Sequence, residues 1–378
     1  MSTTPQQTGA KARMVIGFQN NVGEAATVGY IMPYNTCGIV PSQALTDAQT
    51  ITFSRNPQEP IRGNTDINGP VTIPVDSRAM YYWLMAMFGA PSNPGAAAVA
   101  WVGGQARDLG YLAVPTVANG RYYEVTTAGT TGITEPTWPT TVGTTVVDGT
   151  ATWTCRAFTH TFTIPEEQPY LTIEMQYLRM AVPAYIRFVD CKVSTFEMEI
   201  GGDGELVANL NVAGCTYDVD TSPFDADPTA VTMSRLQNFQ SQFEENGAPA
   251  RATNVGLNVD FDLDLGDEQY EIGGQGFRGD IPEGVPKITG RLTALFRDID
   301  RMQAARSGTI RSLGINVGAS DVSAMNILLQ EIQYAVNGPR VEGPRGVREE
   351  LEFGAFWSEG PVQSAIIVEL INTDQHAA

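Results

Sequence analysis

The chain has 378 residues, which is enough for two domains with cores of their own. Its 42 acidic and 23 basic residues give a net charge of -19, and such a surface disfavours ordinary nucleic-acid binding because it repels phosphates. The longest apolar run, residues 79–90, is too short to cross a bilayer, so no membrane insertion is expected.

Residue usage favours a folded, turn-rich β protein. The chain is 42% hydrophobic and contains 38 glycines and 23 prolines, a balance that suits strands and turns better than long helices or disorder. Its four cysteines form no C-x-x-C pair, and the polar N-terminus lacks the apolar stretch of a secretory signal. We therefore expect reduced thiols in a protein made in a cytoplasm.

A long irregular arm is predicted at residues 54–76, after a strand at residues 49–53. The arm is rich in Pro, Gly and Asn, which argues against regular structure, and long loops in compact domains usually act as functional arms or are disordered. Ile61, Ile67 and Val71 give it apolar side chains with which to dock.

The clearest helix is predicted at residues 77–88. Asp76 or Ser77 is a suitable N-cap, Gly89 is a suitable C-terminal stop, and Pro91 follows. The segment is apolar nearly all round, which predicts a helix buried between a sheet and a neighbouring element.

Residues 91–156 differ in composition from the rest of the chain. They are rich in Thr, Gly and Val and include Trp138 and Trp153, which indicates a small all-β insertion. Two interpretations of the tryptophans stay open: exposed rings stack on sugars, whereas buried rings form the core of so small a module.

A complete β-hairpin is predicted at residues 192–214, where apolar residues alternate with Glu197 and Glu199 before a Gly-Gly-Asp-Gly turn. Such a pair of strands packs its apolar face on a core and leaves the acidic face to water. Residues 217–253, which follow, are predicted to be a linker with one helix.

The second half begins with a strand predicted at residues 254–265, whose polar face carries Asp260, Asp262 and Asp264. A second irregular arm follows at residues 267–286 and includes Tyr270 and Phe277. The remaining predicted elements are strands at residues 288–295, 309–317, 325–337, 347–357 and 363–371 and a helix at residues 298–307.

The two halves share an order of elements: a strand, an arm, a segment ending in a helix closed by glycine, a strand and a long hairpin. This order predicts a tandem duplication, with a first domain at residues 1–216 and a second at residues 254–378. Both halves also carry an acidic strand face. Several copies arranged around an axis would place these acidic rows along a bore.

No catalytic, cofactor or metal site is predicted. His160 and His376 are too few for a triad or a multi-histidine metal site. The glycine spacing in residues 273–279 lacks the helix that a phosphate site needs, and the Arg-Gly-Asp at residues 278–280 is short enough to arise by chance. The three aspartates of residues 254–265, roughly 7 Å apart along a strand, are too spread to wrap one cation. We therefore do not expect an enzyme.

The sequence resembles the tail tube (major tail) proteins of long-tailed bacteriophages. The resemblance covers most of residues 49–214 and, more loosely, residues 254–371. It is carried by the stretches EPIRG, VTIPVDSRAMYYWLMAMFG, FTHTFTI, YLTIEMQY and KVSTFEMEIGGDGELVANLNVAG. The tract GTTGITEPTWPTTVGTTVVDGTATW resembles a small module inserted in phage tail structural proteins.

The resemblance implies a mainly β (α+β) fold class: an antiparallel β-sandwich or barrel of the tail-tube kind with short flanking helices. Here it would be duplicated in tandem and carry the small all-β insertion. In this family six such domains form a ring, strands from neighbours complete one barrel, and stacked rings make the tube through which the genome passes. A duplicated chain would form a trimeric ring with pseudo-sixfold symmetry, which we prefer to a plain hexamer.

The family implies residence in the virion tail after assembly in the host cytoplasm. Implied partners are other copies of the chain and the tape measure, terminator and tail-tip proteins, with DNA passing through unbound. The acidic rows are our candidates for the lumen and the two arms for contacts with neighbouring subunits. The insertion would project outward, because a lumenal insert would block the channel.

Two functions from other classes stay open. One is a β-rich surface or adhesin module that recognises glycans through Trp138 and Trp153. The other is a hydrolase that uses paired carboxylates, although no sharply placed pair is present.

Overall fold

The structure is a computed structural model that describes residues 6–341, 343–357 and 362–376. Strands make up 47% of the chain and helices 8%, which confirms the mainly β fold with antiparallel sheets. Among the described residues no sheet closes into a barrel.

The elements are numbered in chain order. Before the insertion lie β1 (Ala12–Phe18), β2 (Tyr30–Met32), β3 (Thr36–Cys37), β4 (Val40–Thr46), β5 (Ile61–Pro74) and α1 (Ala79–Phe88). The insertion contains β6 (Val99–Ala100), β7 (Ala106–Arg107), β8 (Leu112–Val114), β9 (Tyr122–Thr127), β10 (Gly129–Thr130), β11 (Thr145–Asp148) and β12 (Ala151–Arg156).

Two further groups of elements complete the chain. The first group is β13 (Phe158–Thr163), β14 (Leu171–Tyr177), β15 (Ala184–Gly201), β16 (Val207–Gly214), β17 (Thr216–Asp220), β18 (Thr229–Ala230), β19 (Ser241–Glu245) and β20 (Ala248–Ala250). The second group is β21 (Asn254–Asp260), β22 (Lys287–Leu295), α2 (Asp300–Ser307), β23 (Arg311–Ser320), β24 (Ser323–Tyr334), β25 (Arg348–Ala355) and β26 (Ile367–Asn372).

A single antiparallel sheet, here called the central sheet, runs through both halves. Its strand order is β4-β5-β16-β15-β21-β22-β25-β24, and β3 continues β4 along the edge of β5. The predicted hairpin of residues 192–214 supplies β15 and β16, which turn through Gly201, Gly202 and Gly204 at positive φ. Because β15 pairs with β21, the two halves are joined edge to edge.

Two long strands pass from the central sheet into the outer layers. The first part of β15 lies in a sheet of order β18-β2-β1-β14-β15-β17, in which only the β18–β2 pairing is parallel. The first part of β24 lies in a sheet of order β13-β26-β24-β23-β19-β20. At the changeover in β15, Asp190 has a φ of 55° and its carboxylate accepts the N–H of Gly23 at 2.8 Å.

The central sheet repeats one arrangement of four strands. In each unit a helix follows the second strand after the same short interval of chain: β5 ends at Pro74 and α1 begins at Ala79, while β22 ends at Leu295 and α2 begins at Asp300. The strands β16 and β25 pair with β5 and β22 respectively, and each of the two is eight residues long. The order β4-β5-β16-β15 is thus matched by β21-β22-β25-β24.

Equivalent glycines permit a close approach of strands in both units. A Cβ atom on Gly69 of β5 would lie 2.1 Å from the carbonyl oxygen of Gly38, and one on Gly290 of β22 would lie 2.5 Å from that of Gly256. Real Cβ atoms do not approach a carbonyl oxygen so closely, so both positions require glycine for packing rather than for backbone conformation.

The prediction of an irregular arm at residues 54–76 was wrong over most of its length. Residues 61–74 form β5, the 14-residue strand to which β3, β4 and β16 all pair, and the strand predicted at residues 49–53 is absent. Ile67 and Val71 are 0% exposed and belong to the main core. Gly69 and Pro70 made the segment look irregular, but Gly69 serves the close strand approach and Pro70 lies opposite the break between β3 and β4.

The helix predicted at residues 77–88 is confirmed as α1. The Asp76 carboxylate accepts the backbone N–H groups of Arg78 and Ala79, both at 2.7 Å, and the helix ends at Gly89 with a φ of 69°. Burial raises the pKa of Asp76. Eight of the ten residues of α1 are buried in the core beneath the central sheet, as its apolar sequence predicts.

Two other sequence predictions need correction. Residues 217–253 are not a bare linker with a helix, because they supply β17, β18, β19 and β20 to the outer sheets. The strand predicted at residues 254–265 ends at Asp260, and Asp262 adopts a φ of 53° that a continuing strand does not allow.

The insertion of residues 91–156 forms a separate β layer that the C-terminal segment ties to the host. Its sheets have the orders β11-β12-β9-β8-β6 and β10-β7. The side chain of Gln375 donates to the carbonyl oxygen of Ala98 at 2.7 Å, and the side chain of Asn93 donates to that of Gln375 at 2.8 Å. His376 stacks on Tyr81 of α1 with ring centroids 3.7 Å apart.

Gly69→Ala tests the close approach of β5 to the edge strand. We expect a loss of about 1–3 kcal/mol, seen as a lower thermal midpoint, because the added methyl group overlaps the Gly38 carbonyl. Gly63→Ala in the same strand is the matched control, since its methyl group would lie 3.5 Å from the nearest atom. Equal midpoints for the two variants would contradict this account.

The C-terminal contact predicts a pH dependence. Burial and the neighbouring His160 ring lower the pKa of His376 to about 4. A histidine whose pKa is lower in the folded than in the unfolded chain contributes stability above its unfolded pKa of about 6.5, and this contribution is lost as the pH falls toward 4.

His376→Phe keeps a ring on Tyr81 and removes the proton site. Between about pH 7.5 and about pH 4.5 we expect the thermal midpoint of the native chain to fall further than that of the variant. Carboxylate titration is common to both proteins, so the difference isolates His376. Equal falls would show that the ring is not held neutral by its site.

Candidate functional site

The exposed side of the central sheet, here called the polar face, brings together acidic residues from both halves. Glu197 and Glu199 project from β15, and Asp260 projects from the adjacent strand β21. Their cross-strand neighbours are Asn258 opposite Glu197 and Thr195 opposite Asp260. The alternation of apolar and polar residues places all three acids opposite the core face.

The polar face is hollowed along its middle. A groove of about 1110 Å³ runs across β15, β16, β21, β22, β24 and β25. Polar side chains line much of it, among them those of Glu197, Glu199, Asn209, Arg291 and Glu352. The arrangement offers a wide polar surface and no enclosed pocket.

Two acids of this face were missed by sequence reasoning. Glu350 and Glu352 are exposed on β25 and alternate with the buried Leu351 and Phe353. This period of two is the signal that identified Glu197 and Glu199, and it is present in residues 350–353, although Glu349 interrupts it on the buried face.

The charge of the polar face is acidic but mixed. Its middle strands are β15, β21, β22 and β25. On this face they carry five carboxylates and the three cations Lys287, Arg291 and Arg348. Arg291 lies directly across from Glu352 in the register of β22 and β25. The carboxylates are Glu197, Glu199, Asp260, Glu350 and Glu352.

Asp262 and Asp264 do not continue the acidic row. Both lie beyond the end of β21. Asp262 forms a salt bridge with Lys287 at 2.9 Å, and this hydrogen bond raises the pKa of the lysine. Asp264 accepts the N–H of Gly266 at 3.0 Å and the side-chain amide of Gln269 at 2.7 Å. Both carboxylates therefore serve the local turn.

The two predicted arms make their described contacts within the chain. Of the first-arm residues, Ile61 is exposed at the end of β5, whereas Ile67 and Val71 are core residues. In the second arm, the Tyr270 hydroxyl donates to the carbonyl oxygen of Thr65 at 3.3 Å, and Phe277 packs edge-on against Tyr217. The second arm thus folds back on β5 and β17.

The tryptophans of the insertion pack inside it. Trp153 is 0% exposed, among Tyr123, Val125 and Cys155, so it offers no ring face to a sugar. Trp138 is half-buried, packs edge-on against Trp153, and donates its indole N–H to Glu135 at 2.8 Å. The core interpretation of the pair fits this arrangement.

The central sheet has an unpaired strand edge at each end. Among the described residues, β4 pairs only with β5, and the end of β24 beyond Ile332 pairs only with β25. Both edges expose apolar side chains: Val40 and Leu45 at one end are 57% and 64% exposed, and Val336 at the other is 74% exposed. Open edges with apolar residues are surfaces on which another chain adds strands.

The described residues contain no group of three or more His, Cys, Asp or Glu placed to hold a metal ion. Nor does that part of the chain include a helix long and apolar enough to cross a membrane.

A family model described as "Phage tail tube protein" matches residues 9–355. The chain belongs to this family. The match extends over both units of the central sheet and over the insertion, and it makes the chain a structural protein of the phage tail tube. A comparison with curated proteins found no match.

Proposed function

We propose that this tail tube protein forms rings of three chains that stack into the tube through which the phage genome is delivered. The repeated arrangement of strands in the central sheet carries the proposal. Each chain contributes two four-stranded units joined edge to edge, so three chains supply six units. The chain is then a tandem duplicate, with domains near residues 1–216 and 254–378.

Unpaired edges favour closure of the ring. A sheet with open, partly apolar edges at both ends is prone to uncontrolled addition of strands unless the edges pair in a closed assembly. A head-to-tail contact between the two different ends of the sheet generates a ring when the rotation closes. A plain hexamer would need the eight strands of each chain to occupy only one-sixth of the circumference.

The polar face is the proposed lumen. The five carboxylates and three cations of its middle strands give them a net negative charge, which repels the DNA backbone and lets the genome slide without adhering. Glu197, Glu199 and Asp260 form its acidic row, to which Glu350 and Glu352 add. Asp262 and Asp264 are left out because their carboxylates bond within a turn.

The remaining assignments follow from the ring. The insertion of residues 91–156 lies on the exterior, since it contacts the C-terminal segment and β13 rather than the polar face. The exposed first-arm end at Ile61 reaches toward an adjacent subunit or ring. The tube works in the virion tail, after assembly in the host cytoplasm, with the tape measure, terminator and tail-tip proteins as further partners.

Electron microscopy of the purified protein with native mass spectrometry tests the assembly. We expect hollow stacked rings and a ring mass of three chains. A mass of six chains would refute the trimer, and a monomer that forms no rings at any salt or protein concentration would refute the tube function for this chain.

Reversal of charge on the polar face tests the lumen. Glu197→Lys with Glu199→Lys should leave rings intact but slow genome ejection, most strongly at low salt, because the new lysines attract phosphates. Glu166→Lys with Glu167→Lys is the matched control, since these exposed acids precede β14 and lie off the central sheet. Equal ejection by both variants would place the lumen on another surface.

A further inference from the structure

The chain contains within itself an example of the contact between two units. At the junction of β15 and β21, Glu197 lies opposite Asn258 and Phe196 lies opposite Val259. Phe196 is 2% exposed and Val259 is 0% exposed. At the junction the backbones of the two strands therefore pair, and apolar side chains are buried on the core face.

The free strand β4 occupies the position in the first unit that β21 occupies in the second. Val40 of β4 lies opposite Asn68 of β5, and Asn258 of β21 lies opposite Thr289 of β22. Asn68 and Thr289 lie the same number of residues before the last residue of their strands, β5 and β22. The two residues are therefore equivalent. Val40 is thus the equivalent of Asn258.

The free end of β24 occupies the position of β15. Glu197 lies opposite Asn209 of β16, and the Asn337 side chain donates to the carbonyl oxygen of Glu350 of β25 at 2.9 Å. Asn209 and Glu350 are equivalent, because each is the third residue of its strand. The N–H of Ala335 also donates to the Glu352 carbonyl at 2.8 Å, so the strand pairing runs past Tyr334.

Side-chain exposure at the free end fits a missing partner. Val336 is the equivalent of Phe196, yet it is 74% exposed whereas Phe196 is 2% exposed. The difference is that Phe196 has β21 beside it and Val336 has no strand on that edge in the described structure.

We propose that residues 335–337 of one copy pair antiparallel with β4 of the next, in the register of the internal junction. Asn337 then lies opposite Val40 of the partner subunit, and Val336 lies opposite Pro41 of the partner subunit. This inference rests on the proposed ring and specifies its contact. The same contact, repeated, continues the central sheet from chain to chain.

A cysteine pair tests the register directly. Residues opposite each other on antiparallel strands have Cα atoms about 4.5–5.5 Å apart, within the range that a disulfide spans. Val40→Cys with Asn337→Cys uses two exposed positions on the polar face, so the folding risk is small. The background carries Cys37→Ser, because Cys37 is half-buried near β4 while the other three cysteines are buried.

Assembled rings of this variant, oxidised mildly and run without reductant, should yield covalent dimers and trimers that reductant removes. We expect about tenfold more cross-linked product than from either single cysteine, because only paired sites meet the disulfide geometry. Ser42→Cys with Asn337→Cys is the register control, displaced along the same strand on the same face. Glu197→Cys with Asn258→Cys is the internal control and should cross-link within one chain.

The outcomes separate the contact from the ring. Rings visible by electron microscopy without cross-linking at Val40 and Asn337, or with equal cross-linking at Ser42, would overturn the register and leave the ring standing. No rings and no cross-linking, with the internal control still oxidised, would overturn the ring and the contact together.

Discussion

The pairing of β15 with β21 is the interaction on which the rest of the structure depends. It joins seven residues of each strand and makes one sheet of two units that each have their own helix and hairpin. Because β15 extends back into the outer sheet beside β14, the same strand fixes the spacing between the two layers. Side chains from all of these strands share one continuous core. The halves therefore cannot move independently without separating a buried seam.

The two units have the same arrangement of strands, but the side chains packed beneath the sheet differ. Under the first unit, Met80 of α1 and Ala208 of β16 are both fully buried. Their equivalents are Arg301 of α2 and Glu349 of β25, which form a salt bridge at 2.8 Å that Glu245 extends. Replacement of apolar packing by a buried ion pair adds little stability, but removal of one partner leaves a buried charge unpaired. The second unit thus depends on a complete ion-pair network where the first unit depends on apolar packing.

Local sequence patterns correctly predicted the elements whose positions depend on nearby residues. Asp76 and Gly89 bound α1 because caps act within one turn, and alternation around Glu197 located the hairpin because the period of a strand is visible in its own residues. The strand β5 was missed because Gly69 and Pro70 are of residue types that break strands. These residues disfavour an isolated strand, but they are compatible with a strand whose neighbours require them. Their roles come from Gly38, which is distant in the chain, and no local pattern reports that contact.

In the proposed ring, the edges that pair with another copy must also avoid pairing with other strands. Pro41 has no N–H. Gly38 donates inward to Pro70, and the register is unbroken from Gly38 to Ser42, so the alternation of an antiparallel pair puts the missing donor of Pro41 on the open side of β4. At the other end, Gly338 and Pro339 directly follow Asn337 and interrupt the strand, after which only an isolated bridge between Arg340 and Arg348 is described. A short edge that lacks one donor is a poor template for arbitrary strands. In the proposed contact, the complementary end of the same sheet covers Val336 and Val40, which favours it over an arbitrary strand.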